Sequence, residues 1–187
     1  GMWERIGFGA SRRQGFNDGR QLETILKRPI ATGAAMAVRR ESLRSALPFP
    51  SDWIHDQWVS TVLAATGRKG YALDERLVRY RVHSTQQVGE RQARFGSQVR
   101  RSIATGADQY LDAVARLDSL AGFLRRLPEP DKHGTGIIMK QASHFKARAT
   151  MRQRSRLARI PVIASELLAG NYGLSWSRLA PLKDLLL

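Results

Sequence analysis

The 187-residue chain has no cysteine. That excludes disulfide staples and thiolate metal sites, removes the main support for a small extracellular scaffold, and fits a reducing compartment. Aromatic residues make up only 7%, so little surface is available for the base stacking that single-stranded nucleic acids require. No apolar run approaches the roughly 20 residues of a membrane span, and no apolar signal-peptide stretch opens the chain. These absences lead to the expectation of a cytoplasmic chain, peripheral at the inner face of the membrane when it meets one. Acidic residues are also few: 16 Asp and Glu stand against 31 Lys and Arg, for a formal net charge of +15. Such an excess favours anionic partners, whether nucleic acid, an acidic lipid surface or phosphorylated molecules.

Several catalytic signatures are missing too. There is no G-x-S-x-G elbow, no P-loop, and no G-x-G-x-x-G following a strand pattern. The four histidines, His55, His83, His133 and His144, form no H-x-x-x-H or Cys/His metal spacing. What remains is 42% hydrophobic and 25% charged, a composition that packs a core. A chain of this length supports one sizeable domain and buries roughly 70% of the surface it exposes when unfolded.

Along the chain, residues 2–19 are rich in Gly, Arg and polar side chains without periodicity and read as loop. Leu22, Ile25 and Leu26 have helical spacing before Pro29, predicting a helix over about residues 20–27. Residues 30–40, "IATGAAMAVRR", read as a small-residue strand, with Gly33 marking a close approach of ligand or chain. After "ESLRSAL" and the break at Pro48 and Pro50, Ser51 or Asp52 suits the N-cap of a helix carrying Ile54, Trp58 and Val62 as its apolar stripe. Residues 70–83 run or alternate as one or two short strands.

From about residue 90 the strand signal disappears. Tyr110, Leu111, Val114, Leu117, Ala121 and Leu124 form a helical stripe that ends at "LPEPD". A second helix is expected over about residues 135–159 and a third after Pro161. The predicted fold class is α+β, predominantly α: short strands in the first half, then a helical hairpin and a C-terminal helix. Residues 1–89 and 90–187 form the two parts, packed as one unit.

Two clusters can carry chemistry. In "SDWIHDQW", residues 51–58, Asp56 sits in a first helical turn, where the helix's positive end favours a carboxylate able to accept a proton or bind a cation. A favourable helix start explains the same aspartate equally simply. In "YRVHSTQQVG", residues 80–89, Arg81 and His83 alternate along an extended segment, with chemistry suited to a diphosphate or a metal, or merely to a solvated strand end.

Taken in order, "IATGAAMAVRRESLRSALPFP", "HDQW" with its helix, and "GYALDERLVRYRVHSTQQVG" resemble the C-terminal half of family 2 glycosyltransferases of the GT-A fold, nearest to bacterial rhamnosyltransferase-like members. "GNYGLSWSRLAPLKDLLL", residues 170–187, is similar to the tail of the same group. The resemblance implies an inverting transfer from a nucleotide-diphosphate sugar to a polysaccharide or lipid-linked acceptor. It makes Asp56 the general base, sets Arg81 and His83 beside the donor diphosphate and its divalent metal (Mn or Mg), and gives Trp53, Trp58, Thr32 and Gly33 to the acceptor side. Residues 1–89 then form the acceptor-side part of a partial GT-A sheet. Nothing before Ile30 resembles the nucleotide-binding half, so a chain inactive alone and binding no metal is expected.

A strand over about residues 31–38 without sheet neighbours would expose an edge, predicting homo-oligomerisation or shielding by residues 2–19. No Asp or Glu occurs over residues 132–165, where Lys140, Lys146, Arg148, Arg152, Arg154, Arg156 and Arg159 accumulate. This positive helix suits an anionic membrane surface. A phosphate backbone is the rival partner, although no nucleic-acid recognition motif accompanies it.

Overall fold

The computed structural model describes residues 2–79, 106–175 and 177–186. Among them the order is α1 (Met2–Arg5), α2 (Ala10–Asn17), α3 (Gln21–Lys27), a 3-10 turn (Gly33–Ala35), α4 (Arg40–Arg44), α5 (His55–Ala65), α6 (Ala107–Arg125), α7 (Lys132–Met151), α8 (Arg156–Leu168), a second 3-10 turn (Asn171–Leu174) and α9 (Ala180–Leu186). No strand occurs among the described residues. The fold is therefore all-α, and the expected α+β class with a partial GT-A sheet is corrected.

The physical reason is visible in both segments read as strands. Thr32 (φ −129°, ψ 121°) and Met36 (φ −122°, ψ 131°) do have extended backbone, but a 3-10 turn interrupts them at Gly33–Ala35. Extended dihedrals become a strand only when a neighbour supplies the ladder bonds. Beyond Gly70 the partner is a side chain. Ala72 N–H donates to Asn17 Oδ1 at 2.8 Å, and Asn17 Nδ2 donates to the Ala72 carbonyl at 3.2 Å. One amide on α2 thus takes the place of one residue of a paired strand, and Arg13 Nε adds a 2.6 Å bond to Asp74.

Residues 2–19, expected as loop, instead carry α1 and α2. Phe8 is fully buried, with Trp3 and Phe16 edge-on at 5.3 and 6.0 Å, and this cluster covers Ile25, Ile30 and Ala72. With no strand there, the exposed-edge argument for oligomerisation loses its premise.

The main core joins α5 to the α6–α7 hairpin. Trp58, Val62 and Ala65 of α5 meet Leu120 and Leu124 of α6 and Ile138 of α7. Ile54, read as part of the same stripe, is the residue before the helix and is exposed, so α5 starts two or three residues later than the Ser51 or Asp52 cap predicted. Asp131 caps α7, accepting from His133 N–H at 2.8 Å and Gly134 N–H at 3.2 Å, which places the start ahead of residue 135. A Cβ on Gly134 would collide with the Ala65 backbone carbonyl, so this glycine lets α7 rest directly on the end of α5. The basic stretch breaks after Met151 and resumes as α8 at Arg156, with Pro161 inside that helix rather than before it.

Candidate functional site

Asp56 lies in the first turn of α5, partly exposed. Its carboxylate accepts two backbone N–H groups, from Gly33 to Oδ2 at 2.8 Å and from Gln57 to Oδ1 at 2.7 Å. The Gly33 bond ties the 3-10 turn to the helix start across 23 residues. A Cβ at Gly33 would stand 2.7 Å from His55 Nε2 and 3.6 Å from Asp56 Oδ2. The structure therefore gathers Gly33, Asp56 and the neighbouring Thr32, and adds His55, which the sequence reading quoted without giving it a role. The close approach that Gly33 permits is made by this chain's own histidine.

The two tryptophans separate. Trp58 is 1% exposed, donates its indole N–H to the Ala46 carbonyl at 2.7 Å and packs edge-on against Phe123 at 4.8 Å. It offers no face to a sugar, so its assignment as an acceptor wall is corrected to a core residue. Trp53 is partly buried beside it at 5.4 Å. It lines a cavity of about 190 Å³ with Pro29, Gln57, Thr61, Arg116 and Phe145, and its buried indole N–H has no protein acceptor. Arg81 and His83 lie outside the described residues. Among the described residues no three His, Asp or Glu side chains come together to hold a metal.

A second constellation occupies the C-terminal helices. Asp184 of α9, with a side chain 2% exposed, accepts from Arg148 at 2.8 Å and from the Tyr172 hydroxyl at 2.9 Å, with Arg152 at 3.9 Å. Arg159 donates to the Asp184 carbonyl at 3.0 Å. Much of the positive stripe expected to face solvent thus turns inward onto one carboxylate. His144, fully buried, sits 2.6 Å from Glu166 through Nδ1 and 3.3 Å from the Ser175 hydroxyl through Nε2. Burial pushes the imidazole below its usual range, outweighing the Glu166 bond that raises it. The network then suits a neutral ring donating through Nδ1–H to Glu166 and accepting from Ser175. Burial, with the Asp184 carboxylate, pushes the Tyr172 phenol up.

Sequence reasoning missed this network, yet a signal was present. Glu166 and Asp184 are the only acids after residue 131. Buried cations need partners, so a long acid-free basic helix directs attention to those two carboxylates. Compared with known protein families, curated proteins and solved structures, the chain matches none.

Proposed function

We propose that this chain supplies the acceptor-side base of a sugar transferase, acting between a nucleotide-diphosphate sugar and a saccharide or lipid-linked hydroxyl. The observation that carries the reading is the Asp56 carboxylate, pinned at a helix start by two backbone N–H bonds and still partly exposed beside Thr32 and Gly33. Each oxygen spends one lone-pair direction on the backbone and keeps another for a proton. In the reaction, the acceptor hydroxyl gives its proton to Asp56 as its oxygen attacks the anomeric carbon. The bond to the diphosphate breaks on the opposite face, and configuration inverts. Trp53, with a cavity beside its ring and an indole N–H lacking an acceptor, is the side chain that receives the sugar.

A further observation favours a lipid-linked acceptor. Leu157, Ile160, Leu167 and Leu168 share one face of α8 and are 49–91% exposed, with Arg154 and Arg156 exposed at its start. An apolar helical face flanked by cations lies well in the headgroup region of an anionic bilayer. No helix among the described residues is long and apolar enough to cross one.

The test is binding to an array of bacterial surface oligosaccharides, rhamnose-containing ones included. The reading predicts selective retention, with Trp53→Ala roughly tenfold weaker and Asp56→Asn still binding, because the base acts on the bound acceptor. Retention of no saccharide, or undiminished retention by Trp53→Ala, contradicts it.

A further inference from the structure

The α7–α9 end of the molecule holds a cavity of about 250 Å³ that shares Gln141 and Phe145 with the cavity beside Trp53. Four cationic residues, Lys27, Arg148, Arg152 and Lys183, contribute to its wall, and no Asp or Glu does. Asp184 is already bonded to Arg148 and Tyr172, and Glu23 acts on Lys27 from the same helix. Lys27, Arg148 and Arg152 thus bring three positive charges to one stretch of wall.

Buried polar atoms there also lack partners. Gln141 is 1% exposed and its Oε1 accepts from nothing; Arg148 Nε and Arg152 Nε donate to nothing, although the two side chains are only 10% and 11% exposed. Leaving a buried donor or acceptor unpaired is costly, and such atoms in folded proteins generally find an ion, a water or a ligand. The guanidinium of Arg148 is meanwhile fixed over the Tyr110 ring at 4.7 Å, so part of the wall is already ordered.

We propose that this cavity is a binding site for a small hydroxyl-bearing phosphate ester, with Lys27, Arg148 and Arg152 on the phosphate and Gln141 accepting from the hydroxyl. Guanidinium forks match phosphate oxygens in geometry as well as charge. Gln141 Oε1 needs a donor, which a hydroxyl on the carbon skeleton supplies and the phosphate group of an ester dianion does not. Tyr110 and Phe145 present apolar surface to the carbon skeleton. The volume suits a monosaccharide phosphate and is below the usual range for large cofactors. Burial holds the Lys27 ammonium below its usual pKa, so an arriving anion offsets part of that cost. The proposal stands independently of the Asp56 reading.

The experiment is calorimetric titration of the full chain with glucose 1-phosphate and with inorganic phosphate at fixed ionic strength. Saturable one-to-one binding is expected for both, with the ester tighter. Lys27→Gln, at the partly exposed end of α3, should weaken both roughly tenfold, while Lys146→Gln, exposed on α7 away from the cavity, should change neither. Absence of saturable binding overturns the site, as does equal weakening by both variants, which marks general charge attraction. Competition by phosphatidic acid vesicles would assign the phosphate to a lipid headgroup and its absence to a soluble ester; the site stands in either case.

Discussion

Asp184 shows how a single carboxylate organises several cations. Arg148, Arg152, Arg159 and Tyr172 all reach it or its backbone carbonyl from other elements. Replacing it by Asn keeps the shape and removes the charge, leaving Arg148 buried and uncompensated. Asp184→Asn should therefore cost about 3–5 kcal/mol in chemical denaturation; a loss below about 1 kcal/mol would show the arginines finding water instead. Gly134 offers a test in which two effects oppose each other. Helix propensity alone makes Gly→Ala favourable by about 1 kcal/mol, but the added Cβ would collide with the Ala65 carbonyl. Gly134→Ala should destabilise by about 1–3 kcal/mol, whereas Gly136→Ala, two residues along α7 with nothing near its Cβ, should be neutral or stabilising. His144 sets a pH dependence. Burial holds its folded pKa below the ordinary imidazole value, so the unfolded chain takes up the proton first as pH falls. Its contribution is complete above the unfolded pKa and is lost below it. The melting temperature should drop as pH falls through the ordinary imidazole range, about pH 6.5, and less steeply in His144→Gln.

At the scale of elements, helices with a one-sided apolar pattern were legible. The stripe in α6, the short α3 and the single turn or so of α4 follow from spacing and from Pro29 and Pro48 as stops. Residues 2–19 were not, because α2 is glycine-flanked, highly polar and uncapped by any side chain. Its helicity comes from burying Phe8 and Phe16 and from Asn17 bonding Ala72, contacts between residues far apart in sequence. The strands failed for the converse reason. Thr32 and Met36 have extended backbone angles, but pairing is a property of two segments: a 3-10 turn separates these two residues, and at Ala72 a side-chain amide takes the partner's place. For α8, the exposed leucine face predicts co-flotation with phosphatidylglycerol vesicles at low salt. Leu157→Ser with Leu168→Ser should abolish flotation without lowering the melting temperature, since both positions are 79% and 91% exposed. Flotation that persists in the double variant would place attachment elsewhere.

For the whole molecule, the cavity beside Trp53 and the cationic cavity share one helix. Gln141 and Phe145 of α7 line both cavities, so the Trp53 side and the cationic C-terminal side meet across a single helix. Of the candidate site, the sequence singled out both Asp56 and Gly33 but not the hydrogen bond between them, which joins residues 23 positions apart. The fate of Trp58 was not legible either, since two tryptophans five residues apart look alike in sequence and only the helix start at His55 turns one into the core. The central claim is that the Asp56 turn meets an acceptor sugar. It is tested most directly by following backbone amide and indole signals in NMR while titrating a rhamnose-containing oligosaccharide to about 10 mM, a range that covers weak saccharide binding. The account predicts saturable shifts at Gly33, Asp56 and the Trp53 indole, with the Trp58 indole unmoved. Shifts confined to other helices, or none at all, would contradict it.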